Sequence, residues 1–85
     1  SKSAFVITDK AEDVSKALSE EFGCGITLID AQGYYSKSPK TVLYIVVNRF
    51  QITRMRTIVQ NCDPKAYVTI SEVADVFKFN TAKPE

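Results

Sequence analysis

Apolar residues recur with two periods along this chain, and the period changes at identifiable positions. Ala4-Phe5-Val6-Ile7-Thr8 is β-branched and aromatic with no breaker and reads as a strand. Asp9 stands where a helix N-cap belongs, and Glu12, three residues on, completes a capping box. Ala11, Val14, Leu18 and Phe22, with Ala17 beside them, share one face at helical spacing. Gly23 is a natural stop, because a left-handed residue costs glycine no clash. The spacing predicts a first helix over 10–22.

Period two returns between Gly25 and Tyr35, where Ile-Thr-Leu-Ile-Asp-Ala alternates as a second strand and Gly33 marks a bulge or bend. Ser36-Lys37-Ser38-Pro39 is a turn. Thr41 to Val47 is apolar on both sides, with Val42, Tyr44 and Val46 on one and Leu43, Ile45 and Val47 on the other. A strand of that kind belongs in the middle of a sheet covered on both faces. Asn48 with Gln51 repeats the capping pattern, and Ile52, Met55, Ile58, Val59 and Cys62 give a second amphipathic helix over 49–61. Asp63-Pro64 ends it, and Ala66 to Ile70 alternates as a fourth strand. Residues 71–77 suit one short helical turn, followed by a polar, frayed tail beyond Phe79.

The order β-α-β-β-α-β is the ferredoxin-like split motif, an α+β sandwich. Right-handed crossovers give a four-stranded antiparallel sheet in order 4-1-3-2 with both helices on one face. The 85 residues form a single domain over 1–85. The opening Ser1-Lys2-Ser3 suggests excision from a longer protein. The opposite sheet face would be an exposed apolar patch. Self-association as a dimer or trimer is therefore expected through it.

Composition narrows the chemistry. Eleven Lys and Arg against 10 Asp and Glu give a net charge of +1. That is too little for a nucleic-acid binder, and a third strand with one tyrosine is no stacking platform for RNA. The chain has no histidine, so imidazole catalysis and ligation are absent. Cys24 and Cys62 form no CxxC pair, so no metal site is expected, and isolated thiols favour a reducing compartment. Cys62 completes a helix face, whereas Cys24 sits between glycines and is expected nearer the surface. No run approaches the ~18 apolar residues of a membrane span. With no nucleophile, base and orienting group to name, an enzyme is not expected, and no cofactor is implied.

Charge is unevenly spread. Residues 9–30 hold six acids and two bases, whereas residues 31–62 hold Lys37, Lys40, Arg49, Arg54 and Arg56 and no acid. Either the basic half is a surface for anions or lipid headgroups, or two adjacent helices compensate one another. Arg49 is singled out for its place beside the amides of a helix start, where anions bind. Gly25 and Thr27 could cradle a phosphate or carboxylate, or simply restart a strand after a helix stop. Gly33 and Tyr35, with Tyr34, could stack on a flat ligand or cover the sheet at an oligomer interface. Gly25, Thr27, Gly33, Tyr35 and Arg49 are thus the candidate ligand positions.

The ordered series Gly-Cys-Gly-Ile-Thr at 23–27, Gly33 with Tyr35, Lys40-Thr-Val-Leu, Val46-Val47 with Arg49, and Asp63-Pro64-Lys65-Ala66-Tyr67-Val68 resembles the C-terminal domain of the YitT family of bacterial multi-spanning membrane proteins. Ser36 and Tyr67 are conservative alternatives within the pattern. The chain departs from it at Phe77-Lys78-Phe79-Asn80, where the family often has a glycine-rich G-x-G-F segment. The resemblance implies a cytoplasmic domain attached to the cell membrane through transmembrane helices outside this segment. It also implies a PII-like fold, and by analogy with PII and cyclic-dinucleotide-binding proteins it implies trimers that sense small anions. The resulting expectation is a non-enzymatic regulatory or ligand-sensing domain that takes a small anionic or nucleotide ligand between subunits. The alternatives are a purely structural oligomerisation module and an ACT-like amino-acid-binding domain.

Overall fold

The structure is a computed structural model and describes residues 1–79. Its elements are β1 (Lys2–Thr8), α1 (Ala11–Phe22), β2 (Thr27–Gln32), β3 (Pro39–Val47), a single 3-10 turn (Arg49–Gln51), α2 (Ile52–Cys62) and β4 (Tyr67–Glu72). The strands form one antiparallel sheet in order β2-β3-β1-β4, the expected 4-1-3-2. β3 lies inside the sheet between β2 and β1, as its apolar composition on both sides requires.

Strand alternation divides the side chains cleanly. Ala4, Val6, Leu43, Ile45 and Val47 point to the helices and are fully buried with Val14, Leu18, Met55, Ile58 and Val59. Ala11, Ala17, Phe22, Ile52 and Cys62 pack around this core, so both helical faces read from the sequence are the ones buried. The other sheet face carries a row of Ile29, Val42, Ile7 and Tyr67 across the four strands, in that order. The next row is Thr27, Tyr44, Phe5 and Thr69, with the Phe5 and Tyr44 rings 5.2 Å apart. Among the strand residues on this face the one charge is Lys40, which is paired to Asp9.

Several local expectations change. Asp9 does not cap α1: Lys10 holds the N-cap position with no side-chain cap bond, and the Lys10 amide donates to the Thr8 hydroxyl at 2.9 Å. The Asp9 carboxylate is instead drawn 31 positions along the chain to Lys40 Nζ, at 2.9 and 3.1 Å. The second capping box does form: Asn48 accepts from the Phe50 and Gln51 amides, and Gln51 Oε1 accepts from the Asn48 amide. That box starts a 3-10 turn rather than an α-helix, and α2 proper begins at Ile52. Gly23 is left-handed, with φ 62°, and its amide closes α1 onto Ser19. β2 is shorter than 25–35 because Gly33 already belongs to the turn, exchanging backbone bonds with Ser38 and Lys37.

The helical turn expected within 71–77 is absent. Ser71 and Glu72 extend β4 along β1, opposite Ser3 and Lys2, and the segment beyond is irregular. Ladder bonds to an existing strand satisfy backbone groups that an isolated turn would leave half-made. The polar tail expected to fray beyond Phe79 lies outside the described residues. The Val73 amide donates to the Ser1 carbonyl at 3.0 Å, which starts the segment 73–79 across the end of the sheet. That segment leaves Phe5, Ile7, Ile29 and Tyr67 exposed.

Candidate functional site

The sheet has two ends, and each holds a hollow. At one end, where β1 finishes and β3 and β4 begin, a space of about 350 Å³ is lined by Ile7, Thr8, Asp9, Lys40, Asp63, Lys65 and Tyr67. Asp63 dominates it. Its Oδ2 accepts from the Thr8 hydroxyl at 2.6 Å and its Oδ1 accepts from the Lys65 amide at 3.1 Å. The Thr8 hydroxyl bond, foremost, holds the Asp63 carboxyl below its ordinary value, with backbone donors and the Lys10 charge adding and burial opposing. The Asp63 amide also closes α2 onto Val59, and its carbonyl accepts from Ala66. Asp63 thus joins the end of α2, the end of β1 and the approach to β4. It is a brace whose bonds are already made. Sequence reasoning read Asp63-Pro64 only as a helix stop. Nothing local signals Thr8, which is 55 positions away.

At the other end, where β1 starts and β3 finishes, a space of about 370 Å³ is lined by Ser1, Val46, Val47, Asn48, Gln51, Val76 and Lys78. One wall is the segment after β4. Three of the five candidate residues belong to this end. Gly25 lies in the approach to β2, Thr27 opens β2 opposite Tyr44, and Arg49 follows β3. Arg49 is exposed and stacks on the Phe50 ring, 5.0 Å from its centroid. The backbone amides expected to be open beside it are not, because Asn48 takes those of Phe50 and Gln51. The Phe50 and Gln51 amides are thus not available to an anion at Arg49.

Gly33 and Tyr35 sit at the opposite end, in the β2–β3 hairpin. The six residues of β2 separate them from Thr27, about 20 Å at strand rise. One subunit therefore does not gather all five positions around one ligand. Gly33 sits in the turn rather than in a bulge, and a Cβ there would meet the Ser36 hydroxyl, which would have to rotate away. Tyr35 is exposed and meets Tyr34 edge-on at 5.1 Å, and Lys37 lies over the Tyr34 ring.

The cysteines are half-buried and far apart in role. Burial pushes the Cys24 thiol above its ordinary value, with a backbone bond and Lys78 pulling the other way, so it is not an activated nucleophile. Cys62 packs at the core margin and its thiol points to the Asp13 carbonyl at 3.9 Å. The charge asymmetry between the helices is partly answered by Arg54, which reaches Glu21 at 3.3 Å.

Comparison with known proteins places these features. The chain is similar to the UPF0750 membrane protein YpjC of Bacillus subtilis, 35% identical over 75 residues, covering 88% of this chain and 26% of that protein. It is similar to the UPF0750 membrane protein YitT of the same organism, 30% identical over 76 residues, covering 89% of this chain and 27% of the relative. The chain therefore spans about a quarter of the length of these curated relatives. Among the described residues no helix is long and apolar enough to cross a membrane. A crystal structure of an uncharacterized bacterial DUF2179 protein from Eubacterium ventriosum shares the fold, with a TM-score of 0.70 at 20% identity over 82% of this chain and 96% of that one. The family described as "Uncharacterized protein conserved in bacteria (DUF2179)" matches residues 24–77, more than half of the sequence, from the Cys24 turn through both central motifs to Phe77. The chain belongs to the DUF2179 family, and its relatives include UPF0750 membrane proteins, YitT among them.

Proposed function

We propose that this chain is a non-enzymatic regulatory domain of a YitT-type membrane protein, standing on the cytoplasmic side and joining copies of its parent through the open sheet face. The observation that carries this reading is the row of Ile29, Val42, Ile7 and Tyr67 beside Phe5 and Tyr44. It is an apolar, almost uncharged surface on which Phe5, Ile7, Ile29 and Tyr67 stay exposed, while its end row at Ser3 and Val46 lies beside the segment after β4. Such a face resists wetting, and two copies can meet across it without like-charge repulsion. The cytoplasmic side is favoured by two unpaired thiols. A small anionic or nucleotide ligand fits the boundary between subunits, because Gly25, Thr27 and Arg49 lie at one end of the sheet and Gly33 and Tyr35 at the other. Only a second copy could bring the two groups together.

Light scattering on the 85-residue chain and on an Ile7→Lys/Ile29→Lys variant tests the association. The variant should be monomeric with unchanged circular dichroism, while the parent is a dimer or trimer. A monomeric parent sinks the reading. Thermal-shift measurements with nucleotides, cyclic dinucleotides and amino acids test the ligand. At ~100 times its dissociation constant a true ligand adds roughly 2.7 kcal/mol of stability. Arg49→Ala should abolish that shift, and an unchanged shift removes Arg49 from the site.

A further inference from the structure

The segment after β4 carries a second apolar exposure that the first does not meet. Val73 is tied to Ser1, and beyond it Val76 and Lys78, both still exposed, line the hollow beside Val46, Asn48 and Gln51. Phe77 and Phe79 alternate with them and are 76% and 97% exposed. The segment crosses the end of the sheet past Val46 and leaves the rest of the open face, at Phe5, Ile7, Ile29 and Tyr67, exposed. One molecule thus presents two bare rings and, separately, a bare apolar face.

We infer that segment 73–79 is an exchange strap: the Phe77 and Phe79 rings of one copy seat on the open sheet face of a second copy, against Phe5, Ile7 and Ile29. This rests on the proposed association and specifies what makes it. The chemistry matches on both sides, rings against an aromatic and β-branched surface whose one charge, Lys40, is held by Asp9. The area is also sufficient. At about 150 Å² per ring, two rings from each of two copies bury ~600 Å², and the faces lose a similar area, giving about 1,200 Å². That reaches the lower bound for a stable protein interface. Anionic lipid is a poorer occupant, because the face offers no unpaired Lys or Arg to headgroups.

The test is complementation between two surface variants, followed by sedimentation equilibrium. Phe77→Ser/Phe79→Ser lacks the strap but keeps the face, and Ile7→Lys/Ile29→Lys lacks the face but keeps the strap. Each alone should associate at least tenfold more weakly than the parent chain. Mixed one to one, they should form a heterodimer, since one strap and one face remain. If the face variant dissociates while the strap variant associates like the parent, or if mixing restores nothing, the strap is overturned and association by face-to-face contact stands. If the parent chain is monomeric, strap and association fall together. Co-sedimentation of a monomeric parent with phosphatidylglycerol vesicles, lost in the strap variant, would overturn the inference in favour of a lipid anchor.

Discussion

The two faces of the sheet are made of similar residues and have opposite fates. On β1 and β3, Ala4, Val6, Leu43, Ile45 and Val47 face the helices and are buried. Their immediate neighbours Phe5, Ile7, Val42, Tyr44 and Val46 face away, half-buried or exposed. Hydrophobicity alone does not separate the sets. The difference is the layer above. α1 and α2 contribute Val14, Leu18, Met55, Ile58 and Val59 to one side, whereas on the other no helix packs over Phe5, Ile7, Ile29 and Tyr67 among the described residues and only the end row at Ser3 and Val46 lies beside the segment after β4. An apolar residue on the covered face reports on folding, and one on the open face bears on the proposed association.

The sharpest way to break that distinction is paired truncation. Leu43→Ala removes a fully buried side chain from the covered face and should cost about 2–5 kcal/mol through lost transfer energy and a residual cavity. Ile29→Ala on the open face should cost about 0.5 kcal/mol in the monomer, as surface changes generally do. Chemical denaturation at low protein concentration measures both. Equal losses would mean that the open face already has an intramolecular cover.

This contrast was largely legible in the sequence, because period-two alternation is a property of the strand itself. The apolar character of 42–47 on both sides located β3 inside the sheet, and the order of elements supplied the topology. Local chemistry also announced the Asn48–Gln51 box, whose partners are three residues apart. Partners distant in sequence were not legible. Asp9 has good capping chemistry, yet Lys40 takes its carboxylate. The stretch after Ile70 follows β1 rather than its own turn propensity. The candidate site scattered for the same reason, since a strand places residues close in sequence at opposite ends of a sheet. Gly33 and Tyr35 are a short walk from Thr27 along the chain and a full strand length away in space.

The covered face is also tied at its end, and that tie titrates. The Asp63 carboxyl is held below its ordinary 3.8, first by the Thr8 hydroxyl. A carboxyl whose folded pKa is depressed contributes stability that is fully present above the unfolded pKa and lost as pH falls through the folded one. The chain should therefore hold its melting temperature from neutrality down to about pH 4, the ordinary carboxylate range, and lose part of it below. Thr8→Val removes the main donor. It should lower the melting temperature at pH 7 by less than Leu43→Ala does and flatten the decline below pH 4. A variant that melts like the parent at pH 7 but declines as steeply in acid would show that other carboxylates govern the acid limb. Ile29 touches no part of the Asp63–Thr8 tie, and no strand residue of the open face is a carboxylate, so Ile29→Ala should leave this pH profile unchanged.

The smallest effect belongs to the outer surface of the helices, where the acids of α1 meet the bases of α2. Arg54 and Glu21 are 3.3 Å apart and both partly exposed, and a pair of that kind is worth at most about 1 kcal/mol because water and salt screen it. Arg54→Gln should lower stability by a few tenths of a kcal/mol, about 0.3 at low ionic strength and nothing measurable in molar sodium chloride. Association across the apolar sheet face should respond the other way. The face's one strand charge, Lys40, is already paired within the chain to Asp9, and excluded salts such as sulfate strengthen apolar burial. Denaturation of Arg54→Gln beside light scattering of the parent chain, both across a salt series, separates the two. Dissociation of the oligomer by salt would mean that copies meet through the charged helices rather than the open face.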